Sequence, residues 1–224
     1  MLDRPENTAT PTNASHMKRA SLALVLVGGV VLSFMSYIGF FGNLRAIAPG
    51  KCYRSEQMKP QAFKEAIESH GIKSVLNLRG EHGNQEWYKS ELALCSAEKI
   101  DHADLNIGLG ELPKPETLQQ LVAKLETGPY PMLLHCRSGS DRSGLAAAFY
   151  LHIVEHKPLP EAEAEQVTWR YGHFPIGKAK SINAFFQLYQ DTAHGQPLKE
   201  WLVQTYPAEY AKRVGAQSHG LVND

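Results

Sequence analysis

The sequence predicts an α/β fold, a central and mostly parallel sheet flanked by helices, preceded by one N-terminal transmembrane helix. Three observations carry that expectation. From Lys51 onward, short apolar segments alternate with segments of helical spacing, the order that covers a parallel sheet on both faces. Between Ser21 and Asn43 there is no charged residue, and a run of about 20 apolar residues is long enough to cross a bilayer as a helix. Finally, "YPMLLHC", the most apolar strand candidate, leads directly into a Gly/Ser-rich loop and a helix, "RSGSDRSGLAAAFYL". In open α/β sheets the carboxyl ends of strands are where ligands bind.

Taken in order, residues 1–20 are polar and aperiodic and are expected to be a disordered tail; 21–43 are expected to be the transmembrane segment. "MKRASLALVLV", from Met17, has the charged start of an export signal, so either Met1 or Met17 is the initiator. The apolar run exceeds the roughly 7–15 residues of a cleaved signal core. "AIA" at 46–48 has the look of a cleavage site, but Pro49 follows it. An uncleaved signal anchor is therefore expected, in a single-pass protein of the bacterial inner membrane. Lys18 and Arg19 precede the run, whereas Arg45, Lys51, Arg54 and Lys59 follow it. That charge split leaves orientation to the signal-like start, which favours a periplasmic domain.

Residues 44–224 form the globular part. "KCYRSEQM" reads as a strand, and Pro60 then opens the helix "PQAFKEAIESHG". "IKSVLNLR" is a short buried strand. "NQEWYKSELALCSAEK" is helical by the spacing of Trp87, Leu92, Leu94 and Cys95, "HADLNI" is a further strand, and "PKPETLQQLVAKLETG" is a helix. After "YPMLLHC" comes a helix rich in small residues, "SGLAAAFYLHIVEH", followed by helical stretches at 160–171, 179–192 and about 198–213.

Composition narrows the function classes. Hydrophobic residues are 43% and charged residues 21%, the profile of a globular chain with a core, and the formal net charge is zero. No basic field argues for nucleic acid. The histidines show no helical ligand spacing with a carboxylate, so no metal and no cofactor is expected. Three cysteines, Cys52, Cys95 and Cys136, do not make a disulfide framework in a chain of this size. At most Cys52 and Cys95 pair, or act as resolving thiols for an oxidised Cys136.

The loop from His135 to Gly144 carries the chemistry. A strand-to-helix loop rich in Gly and Ser turns several backbone N–H groups into one concavity, and the helix behind it adds its positive end. Such a cradle fits a phosphate or sulfate. Gly139 permits backbone angles that a side chain resists. Arg142 brings a planar fork for two phosphate oxygens. A thiol at Cys136 in that field loses its proton below the usual value of about 8.5 and becomes a nucleophile aimed at phosphorus.

The pattern H-C-x-x-G-x-x-R-S-G resembles the signature of the cysteine-dependent protein tyrosine phosphatase superfamily, especially its dual-specificity branch. "YRSEQM" (53–58) and "VLNLRGE" (75–81) are similar to upstream strands of its bacterial and atypical members. The resemblance covers about residues 50–170. It implies two-step hydrolysis without a metal. Cys136 is the nucleophile, Arg142 binds the phosphate and the transition state, and Ser143 stabilises the thiolate. The cradle comprises Arg137, Ser138, Gly139, Ser140, Asp141 and Arg142, supported by His135 and Arg79.

The family's general acid is an aspartate some 25–35 residues before the cysteine, and none falls in the loop proper here. Glu111 is the first candidate by position. Asp141 is the second, because it occupies the loop position given an acid role in myotubularin-like lipid phosphatases. The expected function is a phosphomonoesterase acting on phosphotyrosine or phosphoserine/threonine proteins, or on a lipid- or sugar-borne phosphate. The partners expected are that phosphorylated substrate and the membrane. The alternative is a catalytically weak phosphate-binding module. A redox or sulfur-carrier role for Cys136 needs no R-S-G continuation.

Overall fold

The computed structural model describes residues 13–40 and 43–220. The chain divides into two units, Met1–Phe41 and Gly42–Asp224. The first contains one helix, α1 (Asn13–Phe40). The second contains β1 (Arg45–Ala48), β2 (Cys52–Ser55), α2 (Pro60–His70), β3 (Ser74–Asn77), α3 (Glu86–Ala97) and β4 (Asp101–Asp104). It continues with α4 (Pro115–Thr127), β5 (Met132–His135), α5 (Asp141–Ile153), α6 (Leu159–Gln166), α7 (Lys180–Thr192), α8 (Leu198–Gln204) and α9 (Tyr206–Gly220).

The membrane expectation is corrected here. Among the described residues, no helix is long and apolar enough to cross a membrane. Crossing takes about 20 apolar residues, whereas α1 opens on Asn13 and carries His16, Lys18 and Arg19 in its early turns. At the other end of the run, Asn43 is fully buried in the second unit, where its amide donates to the carbonyls of Ser138 and Tyr171. The transmembrane helix at 21–43, the signal anchor, the membrane as partner and the single-pass inner-membrane, periplasmic placement are therefore all set aside. The expectation of a disordered tail falls partly on residues 1–12, which lie outside the described residues; Asn13 to Ala20 are helical.

The sheet has the order β1-β2-β5-β3-β4. β2, β5, β3 and β4 run parallel, and β1 adds an antiparallel edge through Arg45↔Arg54 and Ala46↔Tyr53. The apparent cleavage tripeptide 46–48 is thus part of a strand. Central β5 is buried at all four positions, as expected of a strand covered on both faces. Tyr53, Phe63, Ile67, Val75, Cys95 and Leu133 form the core on the α2/α3 side. Leu76, Leu134, the α5 alanines, Phe185 and Trp201 form the larger core opposite.

Two local outcomes differ from the periodicity. α3 buries Tyr88, Glu91 and Cys95 rather than Leu92, which is 38% exposed. The last expected helix breaks at Thr205 into α8 and α9, because Pro207 lacks the N–H that would continue the hydrogen-bond ladder back to Val203 and is tolerated only in the first turn of a helix. Cys52, Cys95 and Cys136 are all free thiols, so the possible Cys52–Cys95 pair does not form.

Candidate active site

Parallel strands β5 and β3 end side by side, with His135 opposite both Ser55 and Asn77. The loop after β5 therefore starts at the centre of the sheet's carboxyl edge and runs into α5. Four successive carbonyls, those of residues 137–140, find partners in neighbouring elements. Arg137 O accepts from Gln57 N (3.3 Å). Ser138 O accepts from Asn43 Nδ2 (3.1 Å). Gly139 O and Ser140 O both accept from Arg54 Nη2, at 2.9 and 2.7 Å. In a trans peptide the N–H points opposite to the C=O of the same unit. Holding these four carbonyls outward turns the N–H groups of Ser138, Gly139, Ser140 and Asp141 the other way, into the loop.

Cys136 lies at the base, 1% exposed. Burial alone raises the thiol's pKa. The Arg142 guanidinium, the Ser143 hydroxyl 3.5 Å from Sγ, and the backbone N–H groups of Ser143 and Ser138 outweigh it, so the pKa lies below that of a free thiol. Arg142 is half-buried, and its Nε has no hydrogen-bond partner among the described residues. Ser143 is fully buried as its hydroxyl meets the sulfur.

Gly139 and Gly144 are required by space. Gly139 has φ +69°, and a Cβ there would lie 2.7 Å from Glu56 N and 2.8 Å from Ser55 C. A Cβ at Gly144 would meet Gln166 O at 3.0 Å. A Gly139→Ala variant must move β2 backbone as well as adopt left-handed angles. It is expected to lose about 2–4 kcal/mol of stability, measurable by denaturant unfolding; a loss under 0.5 kcal/mol would show the loop is not confined by β2.

Asn77 shapes the neighbouring turn. Its Oδ1 accepts from Arg79 N (3.0 Å), and its Nδ2 donates to Gly80 O (2.9 Å) and Asp104 Oδ1 (2.7 Å). Arg79 is thereby presented beside the loop, its guanidinium 3.9 Å over the Trp87 ring and 3.4 Å from Gln57 Oε1. Burial first, then the like charges of Arg142 and Arg137, lower its pKa. The ion pairs among the described residues use other lysines and arginines. Arg79, Arg137 and Arg142 thus form a cationic rim, close enough for their like charges to act on Arg79, and none of the three is in an ion pair among the described residues.

Residues 41–159 match the model of the tyrosine phosphatase family. The chain belongs to that family. Among solved structures it is similar to the core catalytic domain of the PP-IP phosphatase SIW14 from S. cerevisiae. That match has 18% identity, covers 79% of this chain and 93% of that one, and has a TM-score of 0.50. It is also similar to TpbA from P. aeruginosa (19% identity, 68% and 91% covered, TM-score 0.51). TpbA is also known in complex with pTyr (18% identity, 69% and 92% covered, TM-score 0.51). At these identities the likeness shows the fold. A search of curated proteins finds no match.

Membership in the family agrees with the resemblance read from the signature, and the structure brings Arg79, His135 and residues 136–143 together. The two acid candidates are placed differently. Asp141 opens α5 and accepts a hydrogen bond from His173 Nδ1 (2.7 Å), whose other nitrogen meets the Asn183 amide (2.9 Å). Glu111 is exposed, just after Gly110, whose N–H is tied to Lys178 O and Ser181 Oγ.

Sequence reasoning missed several supporting groups: Asn43, Glu91, Gln166 and His173. Glu91 receives His135 Nε2 (3.0 Å) and His102 Nε2 (2.9 Å) on one oxygen and Gln57 Nε2 (2.8 Å) on the other. A carboxylate one turn before Cys95 on α3, where apolar residues were expected, was the available signal.

Proposed function

We propose that the protein is a phosphomonoester hydrolase working through a cysteinyl-phosphate intermediate. The observation that carries this reading is the buried Cys136 thiol, its pKa lowered by Arg142, Ser143 and loop amides. The thiolate attacks phosphorus, a P–S bond forms, and the P–O bond to the leaving group breaks. Arg142 and the inward amides hold the equatorial oxygens as charge develops. Glu111 gives a proton to the leaving oxygen, and its carboxylate then takes one from the attacking water. The P–S bond breaks, inorganic phosphate leaves, and the Ser143 hydroxyl stabilises the departing thiolate.

The substrate is a phosphate carried by a protein, a lipid or a sugar. The rim of Arg79, Arg137 and Arg142 supports a highly anionic molecule. The similar proteins, TpbA in complex with pTyr and SIW14 named as a PP-IP phosphatase, fall in the same chemical range. A second reading, a phosphate-binding module of low turnover, is favoured by the absence of any hydrogen bond fixing Glu111 among the described residues.

The test uses p-nitrophenyl phosphate and an alkyl phosphate in the presence of a chelator. The proposed hydrolase turns over both, and acid quenching traps phosphate on Cys136. With Glu111→Gln, alkyl phosphate turnover is expected to fall about 100-fold, while the aryl ester, a good leaving group, is little affected. The same pattern in Asp141→Asn instead would move the acid role to Asp141. No turnover of either ester by folded, reduced protein would favour the binding module.

A further inference from the structure

We infer that Arg54 is the positioning residue of the phosphate loop: from β2 it fixes the Gly139 and Ser140 peptides in the anion-binding orientation and faces the loop with a positive charge at neutral pH. This rests on the phosphatase reading of Cys136.

Arg54 lies on β2 and is fully buried. Its Nη2 bridges the two consecutive loop carbonyls, and its Nη1 is anchored by Gln166 O (2.7 Å) and Gln166 Oε1 (3.0 Å). The guanidinium is stacked 4.3 Å over the Tyr171 ring. Every one of these acceptors is neutral. An interior cation whose hydrogen bonds all go to neutral groups is costly, and an apolar side chain of similar volume fills such a place at lower cost. The charge becomes favourable when an anion sits in its field. Burial lowers the guanidinium's pKa to about 10, and Cys136 first, then Tyr171 and the Asp141 carboxylate, pull it back up, so the group is cationic at neutral pH and favours the thiolate in return.

A lysine in the same place keeps the charge but cannot fork across two carbonyls, so charge and geometry are separable. In the full chain, three quantities are read for wild type, Arg54→Gln and Arg54→Lys: p-nitrophenyl phosphate kinetics, inhibition by tungstate, and iodoacetamide alkylation of Cys136 against pH. For Arg54→Gln, kcat is expected to fall roughly 100-fold, as for loss of an oxyanion donor, with tungstate weakened and the alkylation midpoint moved to higher pH. For Arg54→Lys, the alkylation midpoint returns toward wild type while tungstate binding and kcat remain low.

A folded Arg54→Gln or Arg54→Lys protein with wild-type kcat, tungstate inhibition and alkylation profile overturns the inference. If only the glutamine variant fails to fold, the lysine variant decides. If neither folds, Arg54 serves stability alone, and the inference is likewise overturned. Should wild type lack turnover, the hydrolase reading fails separately. Tungstate binding measured by calorimetry in wild type and Arg54→Lys then still decides whether Arg54 positions the loop.

Discussion

Cys136→Ser is expected to lower p-nitrophenyl phosphate turnover by about 10⁴-fold or more, the scale seen when a nucleophile is removed from a cooperating site. The sulfur is where every element of the loop converges. It directly follows β5, it faces the Ser138 N–H, and it lies 3.5 Å from Ser143 Oγ. A serine hydroxyl fits the same space, but at neutral pH it does not ionise under Arg142 as a thiol does. The substitution leaves the amide cradle intact, because the groups holding it are backbone and Arg54, Asn43 and Gln57. Tungstate or phosphate binding, measured by calorimetry, is therefore expected to survive while turnover does not. The sign of the pH dependence follows from the lowered thiol pKa: wild-type activity is expected to persist on the acid side of pH 8.5, down to the thiol's lower value, and to be lost below it. Turnover by Cys136→Ser within tenfold of wild type would remove the thiol from the mechanism.

Much of this site was legible because its requirements are local. Strand, Gly/Ser loop, arginine and helix are contiguous in "LLHCRSGSDRSGLAAAFYL", and short-range rules of backbone geometry and charge read them together. The parallel sheet was legible for a related reason: "SVLN" and "MLLH" carry consecutive apolar residues at their centres and are buried at all four positions, as a sheet covered on both faces demands. What escaped was long-range. Asn43 reaches Ser138 across 95 positions, and Arg54 reaches Gln166 across 112; no window of sequence contains both ends. Edge strand β1 escaped because four residues, "RAIA", have no periodicity to detect, and the same letters fit a cleavage site. The apolar run at 21–43 misled by composition. Absence of charge is a necessary property of a span, and Asn43 shows that the run's end is instead used inside the folded unit.

Glu91 illustrates how a misread helix face hides a consequence for stability. Three donors, from His102, His135 and Gln57, converge on a carboxylate whose side chain is 2% exposed. Burial opposes its ionisation, but the hydrogen bonds from His102, His135 and Gln57 overcome it and hold the carboxyl well below the usual carboxylate range. Glu91→Gln is nearly isosteric, yet it places an amide N–H₂ against one of three donors. Breaking a buried charged network in this way is expected to cost about 3 kcal/mol at pH 7, read from urea midpoints. The pH profile supplies an independent check. A carboxyl whose folded pKa is depressed adds stability above its unfolded value, about 4.3, and loses it as pH falls from there toward the folded value. Wild type is therefore expected to lose stability more steeply than Glu91→Gln over that acid interval, with the two curves converging at its lower end. His102 also lies 3.9 Å from Asp104, so an Asp104→Asn control separates that neighbour's titration from Glu91's. Unfolding free energies within 0.5 kcal/mol of each other at pH 7, with parallel acid limbs, would mean that the network behind His135 adds nothing to the stability of the strand that leads into Cys136.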